Sequence, residues 1–177
     1  MKTALDQLST YAQYHRDRRN IATHLVGVPM IVLAVIVLLS RPGIDVAGMP
    51  ITPAIVAVVV SGIYYLRLDL DLELGMTLVL IHAVMAVAGA AVAAEGTALW
   101  LTAGIGLFVV GWIIQFVGHY YEGRKPAFVD DVMGLVIGPL FVLAEVVFAL
   151  WLRQRLLRDI EARVGPTLVR DMRADNA

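Results

Sequence analysis

Cysteine is absent from the 177-residue chain, which excludes disulfides, thiolate metal ligands and cysteine nucleophiles. Charge is scarce: 16% of residues are charged, with 14 Lys and Arg against 15 Asp and Glu and a formal net charge of -1. The basic excess that phosphate-backbone recognition needs is missing, so nucleic acid is not an expected partner. The N-terminal stretch 1–20 is polar and carries both signs of charge. It lacks the apolar core of a cleavable signal peptide, and insertion must rely on internal segments. No His-Glu-x-x-His motif occurs, and the four histidines are too few for the many-histidine diiron membrane enzymes. Internal repeats, low-complexity tracts and interdomain linkers are also missing, so one integral membrane domain over 1–177 is expected.

Apolar residues are what the chain has in quantity. They make up 59% of it, and the mean hydropathy is +0.78, too oily for a soluble domain of this size. Five stretches, 24–40, 51–66, 74–94, 97–118 and 132–152, approach the roughly 20 apolar residues that a transmembrane helix requires. Their links are short: Arg41-Pro42-Gly43 and Met49-Pro50 bracket the first, 67–73 makes the second with Asp69, Asp71 and Glu73, and Glu95-Gly96 makes the third. The expected fold class is all-α. It is a polytopic membrane helical bundle of four transmembrane helices plus a fifth re-entrant or spanning hydrophobic segment, with an interfacial N-terminal helix over 1–20.

Basic residues orient these segments. With four spans, Lys2, Arg16, Arg18, Arg19, Arg67, Arg124 and Lys125 share one side and Arg41 lies on the other. The tail 153–177 holds Arg153, Arg155, Arg158, Arg163, Arg170 and Arg173. A fifth segment that turns back near Gly138-Pro139, or lies in the interface, keeps this tail with the first group, as the positive-inside rule favours. Both termini are then cytoplasmic, in the inner membrane of a prokaryote or the endoplasmic reticulum of a eukaryote. A straight fifth span is the simpler reading of hydropathy alone.

This topology draws the histidines together. His15 and His24 flank the start of the first span, and His119 ends the fourth at the same face. His82 lies eight residues into the third span, about 12 Å along it. Ionisable groups within a bilayer are costly and mark functional sites. His15 and His24 would stand about 13.5 Å apart on opposite faces of one straight helix. A break between them is therefore required, with Asn20 as the expected N-cap of a span starting at Ile21. Gln115, His119 and Glu122 follow i, i+4, i+7 spacing on one stripe. A thiolate-free imidazole site suits iron or zinc. Glu122, Asp69 or Asp71 would orient the rings as hydrogen-bond acceptors. Tyr120, Tyr121 and Trp112 read as interfacial belt residues, and Glu145 within an apolar run needs a partner such as a histidine or an arginine.

Two patterns carry a resemblance. Tyr11-x-x-x-His15-x-x-x-x-Asn20-x-x-x-His24-x-x-Gly27-x-Pro29 stands near the start, and Gln115-x-x-Gly118-His119-x-x-Glu122, within Q-F-V-G-H-Y-Y-E-G-R-K-P-A, near the end. Together with Gly138-Pro139-x-Phe141-x-x-x-Glu145 they resemble the Mpo1-like membrane proteins over 11–145. The resemblance implies an Fe(II)-dependent dioxygenase of fatty acid alpha-oxidation that shortens a 2-hydroxy fatty acid by one carbon without 2-oxoglutarate. His15, His24 and His119 match motif histidines and would bind the iron, while His82 rests on topology alone. Glu122, Asn20 and Gln115 are the expected catalytic residues beside the metal. Arg19, Arg124 and Lys125 are the expected partners of the substrate's acid head, with dioxygen as co-substrate and the acyl chain lying among the helices of the bilayer. A zinc-dependent membrane lipid hydrolase with Glu122 as base, a bis-histidine haem protein, and a non-enzymatic bundle or transporter are the alternatives. The lack of an inverted repeat lowers the transporter reading.

Overall fold

A computed structural model describes residues 2–68 and 72–172. Asp69, Asp71 and Arg173 fall outside the described residues. The chain is an all-α membrane protein with one small hairpin. In order it forms α1 (Ala4–Ala12), α2 (Arg18–Leu39), β1 (Ile44–Val46), β2 (Met49–Ile51), α3 (Pro53–Leu68), α4 (Leu72–Ala94), α5 (Thr97–Glu122), a 3-10 turn at Ala127–Val129, α6 (Met133–Ala149) and α7 (Gln154–Val164). All five apolar stretches are helical. Three helices, α2, α4 and α5, are long and apolar enough to cross a membrane, and α6 with α7 makes a fourth candidate if the bent pair is one broken span. At 16 residues α3 extends about 24 Å, somewhat short of a hydrocarbon core about 30 Å thick.

The fifth segment departs from expectation in where it turns. α6 runs unbroken through Gly138 and Pro139, and the chain bends by 117° only after it, before α7. Trp151 and Arg153 take left-handed backbone there, with φ of 61° and 51°. A proline three turns from a helix end deletes one hydrogen bond, and packing offsets that loss: Ile137, Gly138, Pro139, Leu140, Phe141 and Val142 are all buried.

The chain divides into two compact units, Met1–Val28 with Ile113–Ala177, and Pro29–Trp112. In the second unit α3 packs on α4. The link after α2 holds the hairpin, whose register pairs Ile44 with Ile51 and Val46 with Met49. Trp100 donates its Nε1 proton to the Val37 carbonyl at 2.7 Å, and Arg41 caps this corner through Thr97 Oγ1, the Ala93 carbonyl and the Trp100 ring. Val60, Leu80, Val84 and Val87 are exposed on the helices, a distribution suited to lipid as solvent.

In the first unit α1 packs against both α6 and α7. Thr3 and Asp6 form a reciprocal capping box at its start, and Arg163 of α7 reaches Asp6 at 2.8 Å. The stretch expected as a helix over 1–20 thus holds a nine-residue helix, a turn, and the opening of α2. The break between His15 and His24 is this turn, 13–17. Asp17 caps α2: its Oδ1 accepts the Arg19 main-chain N–H at 2.8 Å, and its carbonyl accepts from Ile21. That corrects the expected cap at Asn20. Leu168 runs beside the turn in a parallel bridge, donating to the Arg16 carbonyl and accepting from Arg18 N at 2.9 Å each.

Candidate metal centre

His15 lies in the turn 13–17 after α1, His24 nearly two turns inside α2, and His119 one turn before the end of α5. Their ring centroids are 4.4 Å apart for His15 and His24, and 5.1 Å for each of the other two pairs. All three are buried, and one nitrogen from each falls within 4.8 Å of the others. Among the described residues this is the group of histidine and acidic side chains that could hold a metal ion.

Hydrogen bonding settles the tautomers. His15 Nδ1 lies 2.8 Å from the Tyr11 carbonyl and His24 Nδ1 2.9 Å from the Asn20 carbonyl, each one helical turn upstream. A carbonyl only accepts, so both Nδ1 atoms carry protons and both Nε2 atoms of the neutral rings carry lone pairs. Those two Nε2 atoms face each other at 3.0 Å. Facing lone pairs repel unless a proton or a cation lies between them. Burial, and then the neighbouring His24, hold the His15 pKa well below the usual histidine value, which disfavours a shared proton. A metal ion satisfies the arrangement, since two nitrogens bound to one ion at about 2.0–2.1 Å stand roughly 3 Å apart. The third ring agrees: His119 Nδ1 is buried with no hydrogen-bond partner among the described residues.

The surroundings position these rings. Tyr11 stacks on His15 at 4.1 Å with planes 5° apart, and Phe141 from α6 lies 5.4 Å from the same ring. Glu122 does not reach a histidine. Its carboxylate accepts the Arg16 N–H at 2.9 and 3.0 Å, the Asp17 N–H at 2.8 Å and Asn20 Nδ2 at 3.0 Å. It therefore clamps the turn that presents His15 to the helix that presents His119. Asn20 Nδ2 also donates to the Tyr14 carbonyl. Its Oδ1 is buried without a partner among the described residues, as is Nε2 of Gln115. Gly118 allows the close approach of α5 to α2, because a Cβ there would collide with Thr23 Oγ1 and Asn20 Oδ1.

The other expected residues have internal partners. Arg19 pairs with Asp17 at 2.7 Å, donates to the Arg170 carbonyl, and lies over the Tyr121 ring at 4.6 Å. Arg124 donates to the Gln13 carbonyl, and Lys125 pairs with Asp130. His82 belongs to the second unit, buried against Tyr65 at 5.9 Å with Nδ1 on the Leu78 carbonyl. Its Nε2 therefore carries a lone pair as well. Glu145 acts electrostatically on Arg16, whose pKa burial lowers against the pull of Glu145, Glu122 and Glu161. Sequence reasoning passed over Asp17. Its signal was an acidic capping residue a few positions ahead of the first apolar run.

The model of a family described as "2-hydroxy-palmitic acid dioxygenase Mpo1-like" matches residues 1–150. The chain belongs to the Mpo1-like family. A curated relative, the 2-hydroxy-palmitic acid dioxygenase MPO1 of Saccharomyces cerevisiae, is 33% identical over 159 residues, covering 88% of this chain and 86% of that protein. No solved structure matches. The three clustered histidines, Tyr11, Glu122 and Phe141 all fall inside the portion of this Mpo1-like chain that the family model covers.

Proposed function

We propose that this Mpo1-like protein is a non-haem Fe(II) dioxygenase that cleaves 2-hydroxy fatty acids to the acid one carbon shorter, independently of 2-oxoglutarate. The observation that carries the reading is the pair of Nε2 lone pairs held face to face at 3.0 Å, with a third buried imidazole beside them. The named activity of the yeast relative supplies the substrate class. His15, His24 and His119 would hold the iron. Bound iron supplies a Lewis-acidic site for the hydroxyl and carboxylate of the substrate and activates dioxygen.

The chain's own residues position and protect. The Tyr11 and Asn20 carbonyls hold the ligating tautomers, which keeps the Nε2 lone pairs turned inward. Tyr11 and Phe141 cover the His15 ring and keep water from it. Gln115 Nε2, buried and without a partner among the described residues, is the donor assigned to the substrate carboxylate, and Asn20 Oδ1 the acceptor assigned to its hydroxyl. Arg19, Arg124 and Lys125 draw the acid head toward the interface. The membrane face is cytoplasmic, with both termini on that side, in a bacterial inner membrane or an endoplasmic reticulum according to the host. A zinc hydrolase would need Glu122 as base, and its oxygens are instead taken up by the N–H donors of Arg16, Asp17 and Asn20.

Elemental analysis of anaerobically purified protein, paired with oxygen uptake on 2-hydroxy fatty acids, tests this. Iron near one per chain is expected in the wild type, and loss of it in His24→Ala and His119→Ala. Full iron occupancy in both variants contradicts the ligand assignment. Turnover without oxygen consumption contradicts the reaction class.

A further inference from the structure

The end of α6 is closed by a motif that favours glycine, and tryptophan stands in it. Leu152 N–H donates to the Val147 carbonyl at 3.1 Å and Trp151 N–H to the Phe148 carbonyl at 3.0 Å, the paired bonds of a Schellman cap. The residue after the last helical one takes left-handed backbone in that cap, and here it is Trp151 at φ 61°. Gly adopts such backbone without steric cost, whereas a bulky side chain there is strained and marks a functional constraint. Burial is not that constraint. Trp151 is 84% exposed, its neighbours Leu150 and Leu152 are 64% and 56% exposed, and Val146, one turn earlier on α6, is exposed as well. Arg153, also left-handed, then carries the chain through the 117° bend into α7, and Gln154 Nε2 closes the corner on the Phe148 carbonyl at 3.0 Å. The corner is thus fixed by its own hydrogen bonds while its apolar side chains project outward.

We infer that the corner Leu150-Trp151-Leu152 is a membrane-surface anchor, seated at the boundary between lipid headgroups and acyl chains. Tryptophan joins a large apolar ring system to one N–H donor, which suits it to that boundary. In the first turns of α7 beyond it, Arg155 and Arg158 are exposed, with Asp159 beside them. An apolar tip followed closely by cations matches a bilayer surface: acyl chains take the tip and anionic phosphates the arginines. A second copy of the chain fits less well. A stable protein contact buries about 800 Å² per partner and a large aromatic side chain about 150–250 Å², so a corner of three or four side chains falls short. The rest of α7 is committed to the protein, with Ile160 buried, Arg163 on Asp6, and the Gly165 carbonyl accepting from Arg16. Because α6 and α7 both pack on α1, seating their corner in lipid holds that whole group against the membrane. The corner begins at residue 150, where the family match ends, and the inference does not rest on the dioxygenase reading.

The lack of cysteine makes the test direct. Full-length Leu152→Cys and, as a control, Arg158→Cys are spin-labelled and reconstituted into vesicles of phosphatidylcholine and phosphatidylglycerol. Collisions of the label with oxygen, which concentrates in lipid, are compared with collisions with a water-soluble nickel chelate. Oxygen should dominate at the first site and nickel at the second. Nickel access at the first site equal to that at the second puts the corner in water and overturns the proposal. Low collision with both reagents puts it under another copy of the chain and overturns the proposal as well. Trp151→Gly in the Leu152→Cys background separates anchoring from folding. Glycine suits the left-handed cap, so thermal unfolding in detergent should not fall, while the label's oxygen-to-nickel ratio should drop as the corner shifts toward water. A lowered unfolding temperature, or an unmoved label, overturns the role of Trp151.

Discussion

Replacing Glu122 by glutamine removes one charge from the turn that carries His15 while leaving the shape of the side chain unchanged. Oε2 accepts from Arg16 N, Asp17 N and Asn20 Nδ2, and Oε1 accepts from Arg16 N alone. The best glutamine rotamer keeps an oxygen at the Oε2 position and sets its NH2 against the Arg16 N–H. Hydrogen bonds to a charged group contribute about 1.5–3 kcal/mol and neutral ones about 0.5–1.5 kcal/mol, so three bonds weakened by about 1 kcal/mol each cost about 3 kcal/mol. That energy now holds the His15 turn against α5. Outer partners of metal ligands commonly change metal affinity by about 10–100-fold, which is about 1.4–2.7 kcal/mol and fits within the loss. Competition of Glu122→Gln with a chromogenic Fe(II) chelator under anaerobic conditions measures it. A fall of about 10–100-fold with stoichiometry unchanged is expected, in contrast to the lost stoichiometry of His119→Ala. Affinity within twofold of wild type would show that the clamp does not position the ligand and refute the reasoning.

Two further outcomes follow from packing and charge. Gly118→Ala should lower stability by about 1–3 kcal/mol, since its methyl group overlaps Thr23 and Asn20 and α5 must move off α2; unchanged thermal unfolding would contradict that contact. The hydrogen bond from Arg163, with further bonds from Thr3, holds the Asp6 carboxyl down at about 2, so the tie of α1 to α7 is complete above an ordinary aspartate value of about 3.9 and is lost as pH falls through about 2. Amide exchange in α1 should accelerate over that window in the wild type, and Asp6→Asn should show no such step.

The apolar segments were legible because hydropathy over a helix-length window is a property of consecutive residues. The first link and the short third link ended helices where proline, glycine and charge said they would. The stripe Gln115, His119 and Glu122 was legible for the same reason, because i, i+4, i+7 spacing needs no partner to define it. The turn of the fifth segment was misplaced: Gly138-Pro139 reads locally as a breaker, yet burial against the unit's core carries the helix across it. The cap was misplaced by three residues because Asn20 and Asp17 are both good caps in isolation. Only the folded turn gives the cap to Asp17 and leaves Asn20 to bridge Tyr14 and Glu122.

Solvent, the run of apolar segments and the supply of imidazole in place of thiolate were thus determined by the order of residues alone. The tertiary structure decided that Glu122 grips a turn rather than a histidine, that arginines from both ends of the chain ring one cavity, and that two lone pairs meet at 3.0 Å. Those facts depend on a distance set across a turn, for His15 and His24, or between residues a hundred or more positions apart, for the clamp and the cavity, where the period of a helix carries no information and only packing sets the separation.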